Sequence, residues 1–104
     1  MTPFQKLVYD KLKEVPRGRV TTYKALTEAI GSKAYRAVGN ALKVNPMAPQ
    51  VPCHRVVKAN GSIGGFMGFK TGPAIDKKIK LLATEGVQVE KGIIQNFSSK
   101  LHQF

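Results

Sequence analysis

Two short helical segments that meet at Gly31 and Ser32 constrain the fold of this chain more than any other feature. Thr22 is placed to cap the first segment, residues 23–30, and Gly31 ends it. Ser32 is placed to cap the second, residues 33–44, which an Asn-Pro pair then stops. Two short helices joined by a tight glycine-containing turn have the outline of a helix-turn-helix, so the first half of the chain is predicted to fold as this motif.

Two further helices are predicted outside this motif. Thr2 and Pro3 have the residue types that begin a helix, and apolar residues then recur at helical spacing: Phe4, Leu7, Val8, Leu12 and Val15. A last helix is predicted from Gly72 to Glu85, with its apolar face formed by Ile75, Ile79 and Leu82. The basic residues of this helix are predicted to point outward: Lys77, Lys78 and Lys80.

Extended structure is predicted only in a short stretch, residues 51–57. The fold class is therefore mostly α with a small β element, a winged helix-turn-helix-like single domain. We place the domain at residues 1–90 and treat residues 91–104 as a basic C-terminal tail, to which we assign no function. The apolar residues of this tail recur at helical spacing: Ile93, Ile94, Phe97 and Leu101.

The charge of the chain indicates its partner. Seventeen basic residues against six acidic ones give a net charge of +11, and no acidic residue lies between Glu28 and Asp76. A polyanion suits such a stretch, since each neutralised phosphate releases counterions. We therefore predict binding to nucleic acid and not to a membrane, because no apolar run approaches the ~20 residues of a membrane span.

Length and cysteine content set further limits. A chain of 104 residues forms one domain, and we expect a monomer. One cysteine and two histidines far apart in sequence do not fit a structural zinc site, so no metal is predicted. A single cysteine with no apparent targeting segment indicates a cytoplasmic setting, or the nucleus if the source is a eukaryote.

The single cysteine, Cys53, stands in the segment Pro-Cys-His-Arg-Val at 52–56. The thiolate is the nucleophile, and a thiol with a pKa near ~8.5 supplies only a few per cent of it at neutral pH. The neighbouring His54 and Arg55 are residue types that raise this fraction. Alternatively, Cys53 is a small buried hydrophobe. In an extended strand Cys53 and His54 point to opposite faces, so proton transfer between them needs a bend or a bridging water.

The second helix of the motif presents a surface of low relief. It contains Arg36, Ala37 and Gly39, although a glycine inside a helix costs roughly 1 kcal/mol relative to alanine. Such a surface lets a nucleic-acid backbone approach closely, with Arg36 standing out from it. Close helix packing around Gly39 explains the same residues equally well.

Two later features indicate a pocket and a charged partner. A glycine-rich loop, residues 60–69, begins with the turn signal Asn60-Gly61 and has too little side-chain bulk for a core, but it suits a pocket wall. It lacks the lysine and spacing of a P-loop. Glu85 lies in the last turn of its helix, where the macrodipole disfavours negative charge, so we expect it to have a partner such as a histidine.

With these segments in this order, the chain resembles the O6-alkylguanine-DNA alkyltransferase family. The resemblance covers about Phe4 to Glu90 and matches the family's C-terminal, active-site domain; the N-terminal domain of many members has no counterpart here. It rests on Pro-Cys-His-Arg-Val at 52–56, Arg-Ala-Val-Gly-Asn-Ala-Leu at 36–42, Asn45-Pro46 and Leu-Leu-Ala-Thr-Glu-Gly at 81–86.

The resemblance implies DNA repair by direct reversal. An O6-alkylguanine is flipped out of double-stranded DNA, and its alkyl group is transferred irreversibly to the protein's own cysteine in a single turnover. By resemblance, Cys53 is the alkyl acceptor, His54 takes its proton through a water, and Glu85 orients the histidine. Asn45 would hold the active-site turn. No cofactor is implied.

The resemblance also implies binding in the minor groove through the helix-turn-helix. Arg36 would fill the gap left by the extruded nucleotide, and Tyr23 would crowd the phosphate to help rotate it. Further DNA contacts are assigned to the same surface and to the active-site segment, at Lys33, Ala37, Gly39 and Arg55.

The substrate pocket is assigned to Phe66, Met67 and Gly68, where the chain departs from the family pattern. The family commonly has a tyrosine at the position of Phe66, whose hydroxyl serves the guanine O6, and a serine at the next. Loss of such a donor can cost ~3 kcal/mol. The backbone N–H of Met67 can still donate, so we expect weakened rather than abolished transfer.

A second class of protein shares this compact size. Alkyltransferase-like proteins bind O6-alkylguanine and flag it for excision repair without removing the alkyl group. They usually carry tryptophan at the position of Cys53, which argues against this alternative, whereas Phe66 and Met67 argue for it. A plain DNA-binding regulator leaves the Pro-Cys-His-Arg-Val segment and Glu85 unexplained.

Overall fold

A computed structural model describes all residues, Met1–Phe104, and contains five α-helices and two small sheets. The helices are α1 (Pro3–Leu12), α2 (Tyr23–Ala29), α3 (Tyr35–Lys43), α4 (Pro73–Thr84) and α5 (Phe97–Lys100). The strands are β1 (Thr21–Thr22), β2 (Val56–Val57), β3 (Val89–Glu90) and β4 (Ile93–Ile94). The prediction of a mostly helical domain with a small β element is confirmed.

Side-chain caps set the start of the first two helices. Thr2 and Gln5 form a reciprocal capping box at α1, and Thr22 accepts a hydrogen bond from the Ala25 N–H at 3.0 Å at the start of α2. Helix α3 begins later than predicted, at Tyr35. The Ser32 hydroxyl accepts from the Ala34 N–H at 2.9 Å, so it shapes the turn before α3 and does not cap the helix itself.

The Pro-Cys-His-Arg-Val segment, residues 52–56, is less extended than predicted. Residues Cys53–Arg55 form one turn of 3-10 helix, closed by a 2.9 Å bond from the Arg55 N–H to the Pro52 carbonyl, and only Val56–Val57 is a strand. This strand, β2, pairs in parallel with β1. Because β1 runs directly into α2, the pairing fixes the Pro-Cys-His-Arg-Val segment to the helix-turn-helix.

Two apolar clusters form the core. The larger one packs α1, α2 and α3 together and includes Val8, Leu12, Leu26 and Val38. The smaller one lies between β2, the end of α4 and the C-terminal segment, and consists of Val20, Val57, Leu82, Val87 and Ile94. None of the helices is long and apolar enough to span a membrane.

One sequence-based prediction is wrong in this part of the chain, and one sequence pattern does not correspond to a helix. Lys78, predicted to point outward from α4, is fully buried. The apolar residues of the C-terminal segment do not share one helix. The first two, Ile93 and Ile94, form strand β4 against β3, and α5 is a single turn.

Candidate active site and DNA-binding surface

A cavity of about 570 Å³ lies between the glycine-rich loop and the helix-turn-helix, and Cys53 lines it. Its opposite side is formed by Tyr23, Gly39, Leu42 and Lys43. A Cβ atom added at Gly39 would meet nothing within 4 Å, so no neighbouring helix requires this glycine. Of the two explanations for Gly39, close helix packing is excluded, and an open surface remains.

Cys53 begins the 3-10 turn and is 6 % exposed. Its Sγ lies 4.0 Å from the Met67 Sδ. Burial raises the pKa of the Cys53 thiol, and the Asn45 side chain and the Lys78 ammonium, which both act in the opposite direction, do not offset this. The free protein therefore holds the thiol protonated. Successive side chains of a 3-10 turn are roughly 120° apart, so the strand geometry that separates Cys53 from His54 does not apply.

His54 and Glu85 form the pair that the sequence indicated, and Arg55 completes it. The His54 Nε2 and the Glu85 Oε2 are 3.0 Å apart, with both side chains almost fully buried. Arg55 donates to both carboxylate oxygens of Glu85, at 2.9 and 2.7 Å, and to the Val15 carbonyl at 2.8 Å. This bidentate pair fixes the carboxylate that orients the imidazole.

The charges of this network suit a general base. Burial lowers the pKa of His54, more than the neighbouring Glu85 raises it, so the imidazole is neutral at neutral pH. Burial acts to raise the pKa of Glu85, but hydrogen bonds from Arg55 and His54 outweigh it and lower the pKa. The resting site thus combines a thiol, a neutral imidazole and a carboxylate.

Asn45 lies at the C-terminal end of α3 and spans the turn that leads to the active-site segment. It is 3 % exposed. Its Nδ2 donates to the Val51 carbonyl at 2.8 Å, and its Oδ1 accepts from the Met47 N–H at 3.0 Å. These two hydrogen bonds tie together the turn at residues 45–51.

Lys78 is the residue of this site that the sequence prediction missed. Its Nζ donates to three carbonyls, those of Val56 at 2.8 Å, Ile63 at 2.5 Å and Gly65 at 2.9 Å. Burial lowers its pKa to about 7. One ammonium group therefore joins β2 to the glycine-rich loop behind the cavity. The available signal was its spacing, because Lys78 falls on the buried face of α4 with Ile75 and Leu82.

The predicted pocket residues form a tight turn at the end of the glycine-rich loop. Phe66 and Phe69 exchange two backbone hydrogen bonds, of 2.8 and 2.9 Å, around Met67 and Gly68. Both central residues have positive φ, 53° and 85°, which is rare for a methionine. The Met67 N–H donates no hydrogen bond within the protein. Phe66, Met67 and Gly68 all line the cavity, as predicted.

The predicted DNA contacts fall into two groups. Lys33, Arg36 and Ala37 are exposed on and just before α3, and Tyr23 lies at the cavity with its hydroxyl 3.5 Å from the Gly65 carbonyl. Arg55 does not fit the prediction of a DNA contact, because its guanidinium is bound to Glu85 and Val15 and only 15 % of its side chain is exposed.

Together, fold and site define a small helix-turn-helix domain in which a buried cysteine lines a cavity beside the second helix of the motif. Residues 3–87 match the family model described as 6-O-methylguanine DNA methyltransferase, DNA binding domain. The chain therefore belongs to this family.

This chain spans about half the length of the methyltransferases to which it is similar. It is 46 % identical over 86 residues to the methylated-DNA--protein-cysteine methyltransferase of Methanosarcina acetivorans, an alignment that covers 82 % of this chain and 52 % of the relative. The crystal structure of the O6-methylguanine-DNA methyltransferase of Pyrococcus kodakaraensis matches with a TM-score of 0.72 at 46 % identity, over 84 % of this chain and 48 % of that one.

A smaller protein matches from end to end. The S. pombe Atl1 structure, a complex with damaged DNA containing O6-carboxymethylguanine, has a TM-score of 0.84 at 28 % identity. The match covers 100 % of this chain and 98 % of Atl1. The chain is thus nearer to the methyltransferases in sequence and nearer to Atl1 in extent.

Proposed function

We propose that this protein repairs O6-alkylguanine in DNA by transferring the alkyl group to Cys53. The observation that carries the proposal is the position of Cys53 on a cavity whose opposite side is formed by the helix-turn-helix, next to the His54–Glu85 pair. The methyltransferase names of relatives 46 % identical to this chain support it. Residues 1–90 then correspond to the family's active-site domain, since they contain both cysteine and base.

The proposed reaction follows from the protonation states of Cys53, His54 and Glu85 in the free protein. His54 takes the thiol proton, through a water if the two groups do not meet directly, as Cys53 attacks the alkyl carbon. The new sulfur–carbon bond forms as the carbon–O6 bond breaks, and the electron pair passes to the guanine, which then takes up a proton. The free N–H of Met67 is available to donate to this leaving oxygen. Glu85 stabilises the imidazolium that forms.

DNA binding has a separate set of residues. We propose that α3 lies in the minor groove, where its flat face of Ala37 and Gly39 meets the backbone and Lys33 adds positive charge. Arg36 occupies the gap left by the flipped nucleotide, and Tyr23 helps to rotate its phosphate. Flipping costs a few kcal/mol and is cheapest for a poorly paired base, which favours the lesion. One monomer is sufficient, since one chain supplies every residue of the site.

The test is the mass of the intact protein after incubation with a duplex that carries O6-methylguanine. The proposal predicts a gain of one methyl group in the wild type and none in the Cys53→Ala variant. The same duplex with unmodified guanine is the second control. An unchanged wild-type mass on a duplex that the protein binds selectively rejects alkyl transfer.

That last outcome would support a second function, lesion recognition without transfer. Three observations favour it: the end-to-end match to Atl1, the missing hydroxyl at Phe66 and the raised pKa of Cys53. In this case Cys53→Ala binds the O6-methylguanine duplex as tightly as the wild type, and neither protein changes mass. The two functions thus differ in one measurement on the same pair of proteins.

A further inference from the structure

The C-terminal segment, residues 91–104, is hydrogen-bonded to the start of the glycine-rich loop. The Ile94 N–H donates to the Gly61 carbonyl at 2.9 Å, and the Gly92 carbonyl accepts from the Ile63 N–H at 2.8 Å. These two bonds add the beginning of the glycine-rich loop to the β3–β4 hairpin as a third strand. The wall of the cavity is therefore continuous with the last residues of the chain.

An aromatic ring covers the same point. Phe97 packs so closely over Gly61 that a Cβ atom there would lie 3.1 Å from its ring. Gly61 also has a φ of 87°, so glycine is required both for the backbone conformation and for the approach of the ring. Phe97 in turn packs against the smaller core cluster. The turn that opens the glycine-rich loop is thus held between this ring and its own hydrogen bonds.

The loop is held from a second direction by Lys78. The carbonyl of Ile63 accepts from the Lys78 Nζ, while its N–H donates to the carbonyl of Gly92. Ile63 lines the cavity together with the next residues, Gly64 and Gly65, and Gly64 lies against the Tyr23 ring. Both backbone groups of Ile63 are therefore bound where the loop forms the cavity wall.

We propose that the C-terminal segment positions the wall of the lesion-binding cavity, with Phe97 as its positioning residue. A loop this rich in glycine loses about 1–2 kcal/mol per residue when it is ordered. If the segment orders the loop in the free protein, the flipped base does not have to meet that cost when it binds. This inference rests on the proposed binding of O6-alkylguanine, but it assigns no DNA contact to the segment.

The test compares Phe97→Ala with Leu101→Ala. Leu101 packs on the same core cluster, but its backbone pairs with Val20 and makes no bond to the glycine-rich loop. Both substitutions are made in a Cys53→Ala background, which cannot take up the alkyl group, and affinity is measured for an O6-methylguanine duplex and for its undamaged counterpart at a temperature where all variants are folded. We expect Phe97→Ala to lower the ratio of the two affinities about tenfold, because ordering the loop then opposes binding. Leu101→Ala should leave the ratio unchanged.

Equal losses on both duplexes leave the ratio unchanged, which would overturn the inference and indicate a DNA contact instead, and no loss on either duplex would also overturn it. If the Cys53→Ala parent shows no preference for the lesion, the proposed binding of O6-alkylguanine fails instead. Amide hydrogen exchange of the free protein tests the positioning role independently. Exchange at Ile63 and along the glycine-rich loop should rise in Phe97→Ala and not in Leu101→Ala, and equal exchange in the two variants would overturn the inference.

Discussion

The two sides of Cys53 are built in opposite ways. On one side, Glu85 binds both His54 and Arg55, and Arg55 also binds Val15. On the cavity side, the Cys53 Sγ lies 4.0 Å from the Met67 Sδ, and the Met67 N–H donates no hydrogen bond within the protein. The Glu85 carboxylate is thus bound by two side chains, whereas the Met67 N–H beside the cavity has no partner in the protein.

This difference separates preorganised groups from groups that await a ligand. Because the bidentate Arg55–Glu85 pair fixes the carboxylate, the His54 imidazole is already oriented in the free protein. The Met67 N–H belongs to an exposed residue that lines the cavity, so it is available to a group that enters there. The following variants test each side of the comparison, beginning with the largest expected effect.

Glu85→Ala tests whether the contacts of Glu85 with His54 and Arg55 also stabilise the fold. Removing the carboxylate leaves the Arg55 guanidinium partly buried with one carbonyl partner, and breaking a buried pair in this way costs about 3–5 kcal/mol. Urea unfolding should show a loss of this size. Glu14→Ala is the control, because Glu14 pairs with Lys11 at the surface, where such pairs contribute at most about 1 kcal/mol. Similar losses in the two variants would contradict the comparison.

Phe66→Tyr tests whether the cavity side lacks a donor. The new hydroxyl restores a hydrogen bond to the leaving oxygen, and a donor of this kind contributes ~3 kcal/mol to the transition state, or about a hundredfold in rate. Single-turnover transfer from an O6-methylguanine duplex measures it. Phe69→Tyr adds the same hydroxyl elsewhere on the cavity and should leave the rate unchanged. An unaltered rate in Phe66→Tyr would show that the Met67 N–H is sufficient.

Lys78→Met tests the ammonium group that joins β2 to the glycine-rich loop. Three carbonyls lose their donor, so the variant should be less stable than the wild type by about 1–3 kcal/mol. The folded-state pKa of Lys78, about 7, lies below its ordinary value of 10.5, so the unfolded chain binds more protons above pH 7. The wild type should therefore gain stability relative to Lys78→Met as the pH rises from about 7 towards 10.5. Unfolding curves whose difference stays constant over this range would show that Lys78 remains charged.

Gly39→Ala tests whether the open surface of α3 contacts DNA. It has the smallest expected change in stability of the four variants. Alanine should stabilise α3 by roughly 1 kcal/mol, since its Cβ meets no neighbour, but it should weaken DNA binding because it raises the flat face. Thermal unfolding and duplex affinity should thus move in opposite directions. Gly31→Ala is the matched control: it also has free space, but its φ of 72° makes alanine strained and destabilising. Unchanged DNA affinity in Gly39→Ala would show that α3 does not approach the duplex there.

Patterns of neighbouring residues were sufficient to predict much of this fold. The caps at Thr2 and Thr22 and the turn at Gly31 depend on neighbours a few residues away, so the sequence predicted them directly. The isolated charge of Glu85 at a helix end predicted a distant partner, and His54 is that partner. The unfavourable position of this negative charge was therefore sufficient to predict a contact between residues far apart in sequence.

Contacts between distant segments account for what was missed. Lys78 was placed outward because of its charge, but its acceptors are backbone carbonyls, which no sequence pattern displays. The segment 53–55 was predicted to be extended, but it forms a 3-10 turn closed by a local hydrogen bond to Pro52, and only the next two residues pair with β1. The packing of Phe97 on Gly61, across more than thirty residues, is likewise invisible to periodicity.

The bonds of Arg55 also bear on the order of folding. Its guanidinium joins the end of α1, 40 residues away, to the end of α4, 30 residues away, and each bond closes a loop of that length. Closing long loops is entropically costly and delays contacts of this kind relative to helix formation. We therefore expect the contacts that orient His54 to form after the helices, since they need both ends of the domain in place. A chain that had formed its helices but not this junction would hold Cys53 without an oriented histidine beside it.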